Sequence, residues 1–510
     1  MKNSILKIST LSLATIMLAG GCSKSFLDQE IPGRAPIDGF YKTDADAMQA
    51  TSAVYDFLSE HYNFGWSSIT LVKTFPSDES NAGGSGPGDQ PGYQALDDFT
   101  FDSQNEAVFG AWRMSYYTIA RANLVINNVK PENTLRKRLI AESKAIRAYN
   151  YLELVSLWGD VPIVLKTIGL SEFQQTPRKP KAEVYAQIEK DLNEAIPDLP
   201  LKSEYSAADK FRMSKGTAQA LLGKALLYQE KWAPAAAAFD LVIKSGQYDL
   251  EPDFAKVFSL AGEFGLESLF EVNYISNVPY DWGNFPWDNG RALESNIHIQ
   301  LMGPRGDYYK KAPADSLVAG WGFNVPKAKL YDAYVAAGDV KRRTNTVMSV
   351  VELKAAGGDW TSPTSWDFEG FLQRKYGSYG GQTNSSGGAV GELNYGTNWR
   401  LLRYADVLLM AAEAYYRAGD EDRARTELKK VRLRANLGEV TAGGNALFEA
   451  IVLERQLELA FEGYRYVDLV RWGRAATELG PLGFTANKNE VLPIPNNDDL
   501  VSGIGQNDNY

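Results

Sequence analysis

Apolar residues recur at helical spacing through most long segments of this chain, and that period constrains the fold more than any other feature. Asp44–Ser59 opens on Thr43, an N-cap residue type, with Asp44 and Asp46 where a helix start favours acids. Ala107–Asn127 is apolar and aromatic at the same spacing. Leu135–Trp158 reads as a long amphipathic helix stopped by Gly159 and Pro162, and Lys181–Ile196 lies between Pro180 and Pro197. Near the end, Ala450, Leu453, Leu457, Ala460 and Phe461 form one face of Ala446–Glu462. Gly463 stops that helix, and Tyr464–Trp472 continues as a second, short one.

Two segments repeat a pattern. In Gly216–Ser245, Leu222 and Gly223 precede Ala235, Phe239 and Val242; in Tyr404–Arg434, Tyr415 and Gly419 precede Ala424, Leu428 and Val431. Both fit the tetratricopeptide helix pair, in which small residues let two helices approach closely, although its Trp and terminal Pro are missing. Such a pair cannot bury its apolar face alone, so stacked neighbours are expected. Residues 246–400 differ, being rich in Gly, Pro, Asn and aromatics, with helical pattern surviving only near Pro326–Ala336. Gly377–Gly396 and Asn81–Gly92 read as loops, and long loops in a compact body often carry function. The fold expected is mainly α: a tetratricopeptide-like scaffold, mainly 40–245 and 400–475, with a large loop-rich region, mainly 246–400, and little β.

Composition removes several functions. The net charge is −10 with no long basic run, which argues against nucleic acid as a partner. One Cys and two His, His61 and His298, exclude internal disulfides, Cys-based zinc and three-His metal sites by counting. There is no GxSxG elbow, HExxH, Walker A loop or EF-hand pattern. No catalytic residue, metal ligand or cofactor is therefore assigned. Paired acids such as Asp78/Glu79 and Asp281/Asp288 read as solvated loop residues or caps.

Lys2 and Lys7 precede an apolar run, Ile8–Ala19, with no acid before Asp28. This is the form of a secretory signal, residues 1–21, and is too short for a spanning helix. The only cysteine, Cys22, follows Ala19, Gly20 and Gly21 directly. The placement predicts a bacterial lipoprotein whose lipidated Cys22 begins a single body, 22–510. Ala19 stands where the usual lipobox has Leu, and an incidental cysteine in a plain secreted protein is the alternative. Acyl chains supply the anchoring, at about 0.8 kcal/mol per buried CH₂.

Five segments in order, CSKSFLDQ (22–29), AESKAIRAYNYLELVSLWGDVPIV (141–164), LLRYADVLLMAAEAYYRAGD (401–420), ERQLELAFEGYRYVDLVRW (454–472) and LPIP (492–495), resemble the SusD/RagB family of outer-membrane lipoproteins. The resemblance implies a surface-exposed, lipid-anchored outer-membrane protein of a polysaccharide-utilisation system. Such a protein binds a nutrient, often an oligosaccharide, without catalysis and delivers it to a SusC-like TonB-dependent transporter that the helical scaffold faces. Peptide capture, as in the RagB branch, a secreted glycoside hydrolase and a purely structural subunit are the alternatives. The charges Glu454, Glu458, Asp468, Arg455, Arg465 and Arg471 read as ion pairs or a solvated face rather than an active site.

Neutral sugars present hydroxyls and apolar C–H faces, so a binder needs flat aromatics and a few convergent polar groups. The densest candidate is NYISNVPYDWGNFPW (273–287), with Tyr280, Trp282 and Trp287, and Asp288 and Asn289 following as polar partners. Glycan binders of the family often have contacts just before a segment like Leu96–Phe101, which implies Asp89, Gln90 and Tyr93 here, in a loop lacking the Trp some members stack on. Tyr308 is the last candidate, ahead of WGFN (321–324), which resembles a structural element of the family.

Overall fold

The computed structural model describes residues 40–63, 67–168, 172, 175–278, 294–362, 364–386, 390–496 and 503–510. The expectations at residues 1–21, Cys22, Tyr280, Trp282, Trp287, Asp288 and Asn289 lie outside that set.

The periodic segments are helices. Asp44–Asn63 is capped reciprocally: Asp46 N–H donates to Thr43 Oγ1 (3.1 Å) and Thr43 N–H to the Asp46 carboxylate (2.8 Å). Asn105 caps Glu106–Asn128 by accepting from Val108 N–H (3.1 Å), and Asn133 caps Thr134–Trp158 by accepting from Arg136 N–H (2.9 Å). Successive helices pack on one another: 44–63 on 106–128, 106–128 on 134–158, and 134–158 on Lys181–Ala195.

Thr134–Trp158 departs from the amphipathic expectation. Its second half is buried all round, from Ala145 to Val155, including Arg147 and Glu153. Those charges have partners far along the chain: Arg147 forks onto Asp191 (2.8 and 2.7 Å) and Glu153 meets Lys73 (2.9 Å). The LPIP segment docks on the end of this helix, where the Trp158 indole N–H donates to Pro493 O (3.0 Å) and Leu492 N–H to Leu157 O (2.7 Å).

Both repeats are helix pairs: Lys215–Tyr228 with Trp232–Ile243, and Tyr404–Arg417 with Glu421–Arg434. At Gly223 a Cβ would lie 2.5 Å from the Phe239 ring, so the close approach of the first pair needs glycine there. The two pairs adjoin in space although residues 246–399 separate them. Trp232–Ile243 packs on Tyr404–Arg417, and Asp240 accepts from the Tyr415 hydroxyl and from Arg423 (2.5 Å).

The intervening region is more ordered than its composition predicts. Beside Ala328–Ala337 it holds the short helices His298–Met302, Val340–Thr346 and Val350–Ala355. The described strands form two-stranded sheets, among them antiparallel Ser80–Gly83 with Phe323–Pro326 and Ser268–Val272 with Trp399–Arg403. A small cluster of Tyr309, Leu317, Met348, Leu353, Trp360 and Leu372 forms its own core.

Buried charge joins this layer to the scaffold. The 454–472 charges are not a solvated face. Glu458 accepts from Arg342 (2.8 Å), Arg403 (2.5 Å) and Arg434, and Glu462 accepts from Arg403 (2.7 Å) and Lys375 (2.8 Å), all buried. Burial raises the cost of ionising Glu458, but the three guanidiniums outweigh it and hold the carboxyl below its ordinary range. Arg455 bridges Asp406 (2.8 Å) and Asp468 (2.7 Å), and Arg471 joins Glu413 to Asp468.

Asp78 and Glu79 also overturn their expectation as solvated or capping acids, for each is 1% exposed. Burial works against the Asp78 charge, yet Arg465 and Lys329 bring its carboxyl down to about 2. Burial pushes Glu79 up to about 8, opposed by Arg465 and reinforced by Asp78.

Candidate functional site

Asp89, Gln90 and Tyr308 lie on segments that meet one floor, the Gly322–Phe323 stretch of the WGFN element. From one side comes the loop 84–90. Gly84 N–H donates to Gly322 O (2.8 Å), and a Cβ on Gly84 would lie 2.8 Å from the Phe323 ring. Gln94 staples the loop, donating to Gly86 O (2.9 Å) and accepting from Gly88 N–H (2.8 Å). Asp89 turns its carboxylate inward to accept from Ser85 N–H (2.8 Å) and Ser85 Oγ (2.7 Å), leaving its remaining lone pairs for a ligand. Gln90 is partly exposed and left-handed (φ 73°), at the head of the short helix Pro91–Asp97.

Tyr93 borders a hollow beside Gln90 but is far more covered than the expectation that it reaches a ligand supposes. Its ring is 1% exposed against Phe75 (4.9 Å), and its hydroxyl accepts from Ser68 N–H (3.2 Å). It anchors the short helix, and sequence carried no sign of which way the ring turns.

From the other side comes the turn 305–308. A Cβ on Gly322 would lie 2.7 Å from Arg305 Cβ, and Tyr308 N–H donates to Arg305 O (3.1 Å). Tyr308 is half-buried with its ring set edge-on against Trp360 (5.7 Å). Asp89 and Tyr308 thus lie on segments that meet the same floor.

Next to this floor is a hollow of about 450 Å³ lined by Gln300, Arg305, Asp307, Trp321, Glu392 and Tyr395. The Arg305 guanidinium is fixed by Asp307 (2.6 Å) and Trp321 O (3.2 Å), and Tyr395 hydroxyl donates to Gln300 Oε1 (3.3 Å). One indole wall with a guanidinium, carboxylates, an amide and a phenol suits an uncharged polyhydroxylated ring. Sequence reasoning gave WGFN a structural role alone and missed this wall. The Arg and Asp of GPRGDYY (303–309), just ahead of Trp321, were the available signal. A second hollow, about 460 Å³, opens beside Gln90, lined also by Thr100, Asp102, Gln104 and Asn105. A third, about 450 Å³, is lined by Tyr55, Asp56, Phe211, Asn273 and Glu294. It adjoins the base of the aromatic candidate segment, which Ile275 N–H closes by donating to Glu294 O (2.6 Å).

Among the described residues no group of three or more His, Cys, Asp or Glu could hold a metal ion, and no helix is long and apolar enough to cross a membrane. His298 is buried, and the Asp78/Glu79 pair is sealed from any ligand.

The SusD family matches residues 341–491, and a family described as starch-binding and associating with the outer membrane matches 91–227. A solved laminarin-binding SusD-like protein is 32% identical, covering 92% of this chain and 100% of that one with a TM-score of 0.83. Surface glycan-binding protein A from Bacteroides thetaiotaomicron, solved in complex with laminarihexaose, is 25% identical at the same coverage, with a TM-score of 0.78. SusD-like protein P2 from Formosa agariphila is 28% identical over 506 residues, 93% of this chain and 94% of the relative. This is a mainly α protein, and it belongs to the SusD family.

Proposed function

We propose that this protein captures a neutral oligosaccharide at the outer-membrane surface, without breaking its bonds, and hands it to a SusC-like TonB-dependent transporter, held in place by lipid on Cys22. The observation that carries the reading is the pairing of an indole wall with hydrogen-bonding groups in the hollow of Gln300, Arg305, Asp307, Trp321, Glu392 and Tyr395. The similarity to a laminarin-binding relative over 92% of the chain supports it, as does the second family's description. Trp282 and Trp287, with Tyr280, Asp288 and Asn289, are the further ligand contacts proposed, beside Asp89, Gln90 and Tyr308.

Titration calorimetry of the body lacking residues 1–22 against laminarihexaose and against mixed peptides tests this. Saturable heat with the glycan, reduced in Trp282→Ala or Trp287→Ala, is expected. Binding of peptides alone, or shortened oligosaccharides accumulating with time, overturns it. Co-purification from detergent extract is expected to bring down a large β-barrel protein.

A further inference from the structure

Residues 359–369 hold two indoles in opposite settings. Trp360 points in: it stacks on Phe368 (4.2 Å, 20° between rings), and its N–H donates to Ser362 O (2.8 Å) and Ser365 Oγ (3.2 Å). Trp366 points out. At 42% exposed it is the most exposed aromatic side chain among the described residues.

Both chain neighbours of Trp366 fix it there. Ser365 receives the Trp360 indole N–H. Asp367 takes a left-handed backbone (φ 52°), a conformation unfavourable for a residue with a Cβ, and its carboxylate accepts from Gly83 N–H (3.0 Å). Asn81 adds two more ties, donating to Asp367 O (3.2 Å) and Glu369 Oε1 (3.0 Å). The loop is therefore bolted to the strand Ser80–Gly83, whose next residue, Gly84, begins the loop of Asp89 and Gln90. A strained, multiply bonded turn that leaves a large apolar ring in water is preorganised for a ligand, because little ordering remains to be done on binding.

The surroundings define the ligand's charge. Asp367 and Glu369 lie on the same loop; Lys327, itself buried and ion-paired with Asp97, acts on Asp367 electrostatically, and so, less strongly, does Asp98. A uronate or sulfate chain would meet repulsion here, whereas carboxylates accept hydrogen bonds from the hydroxyls of a neutral pyranose. We propose that Trp366 is an outlying stacking platform for one pyranose unit of a neutral glycan, extending the ligand face beyond the loop 84–90. The proposal rests on the glycan-binding reading above and adds a contact residue to it.

Full-chain protein in detergent, titrated with laminarihexaose, provides the test. Trp366→Ala is expected to weaken binding about 10-fold with the melting temperature unchanged, and Trp366→Phe to keep affinity within about 3-fold of the parent. Parent affinity in Trp366→Ala overturns this inference and leaves the function proposed above standing. No binding by the parent protein overturns that function, and this inference with it. An oligogalacturonate of equal length is expected to bind at least 10-fold more weakly than laminarihexaose, and equal affinity overturns the neutral-ligand class.

Discussion

Lys327 Nζ lies 2.8 Å from the Asp97 carboxylate, with side chains only 8% and 6% exposed. The same ammonium donates to Ser80 O (2.8 Å) and to Asn81 Oδ1, while Asp97 also accepts from Ala82 N–H (2.7 Å). One cation thus holds the strand that leads into the loop of Asp89 and Gln90. Burial pushes the Asp97 carboxyl up to about 6 despite Lys327 beside it, so the pair is held at a desolvation cost. Lys327→Met should destabilise the protein by about 3–5 kcal/mol, the cost of leaving one member of a buried pair alone. Denaturant unfolding checks this, and a change below about 1 kcal/mol would contradict the pairing.

Glu79 makes stability depend on pH in a defined direction. Its folded carboxyl, near 8 against an ordinary value of 4.5, keeps a proton that the unfolded chain has lost. The folded state binds more protons between these values, so this group's contribution to stability falls as pH rises from 4.5 to 8. Its neighbour Asp78, near 2, titrates below that window. Glu79→Gln should raise the melting temperature at pH 8 and change it little at pH 4. Each pKa unit is worth about 1.4 kcal/mol, so the gain at pH 8 is on the order of a few kcal/mol. An equal effect at both pH values would refute the assignment.

Gly223→Ala places two rules in opposition. Alanine is the better helix former by about 1 kcal/mol, yet its methyl would meet the Phe239 ring at 2.5 Å. Overpacking of this kind costs about 1–3 kcal/mol, and a net loss of stability is expected by thermal unfolding. A stabilised variant would show that the helix pair has room to spare.

Tyr93→Phe separates anchoring from ligand contact. Loss of the hydroxyl that accepts from Ser68 N–H should cost about 1 kcal/mol of stability and leave glycan affinity unchanged in calorimetry. Weakened binding without destabilisation would return Tyr93 to the ligand site.

Cys22→Ser should move the protein from the membrane fraction to the soluble one, as followed by immunoblot after cell fractionation. Retention on the membrane would argue against lipid on that residue.

The scaffold was legible because helix pairs write themselves locally: caps at Thr43 and a small residue at Gly223 act within a few turns. What escaped were pairings across the chain. Arg147 and Glu153 look like a polar face until Asp191 and Lys73 arrive beside them. Asp78 sits in a polar stretch, FPSDESN, and its partner Arg465 comes from the other end of the sequence. In the loop layer, composition marked aromatics as candidates without direction. Tyr93 turns inward and Trp366, which was not singled out, turns outward, because the hydrogen bonds of Ser68 and Asp367 decide each case.

The strands Ser268–Val272 and Trp399–Arg403, hydrogen-bonded side by side, are the doorway through which most of the loop-rich layer departs from the helical array and rejoins it. Because departure and return are neighbours, closing a longer excursion adds little entropic cost, provided it still returns Arg342 and Lys375 to their buried partners Glu458 and Glu462 in the array. Changes within the excursion that spare those two cations can therefore accumulate while the helices stay as they are.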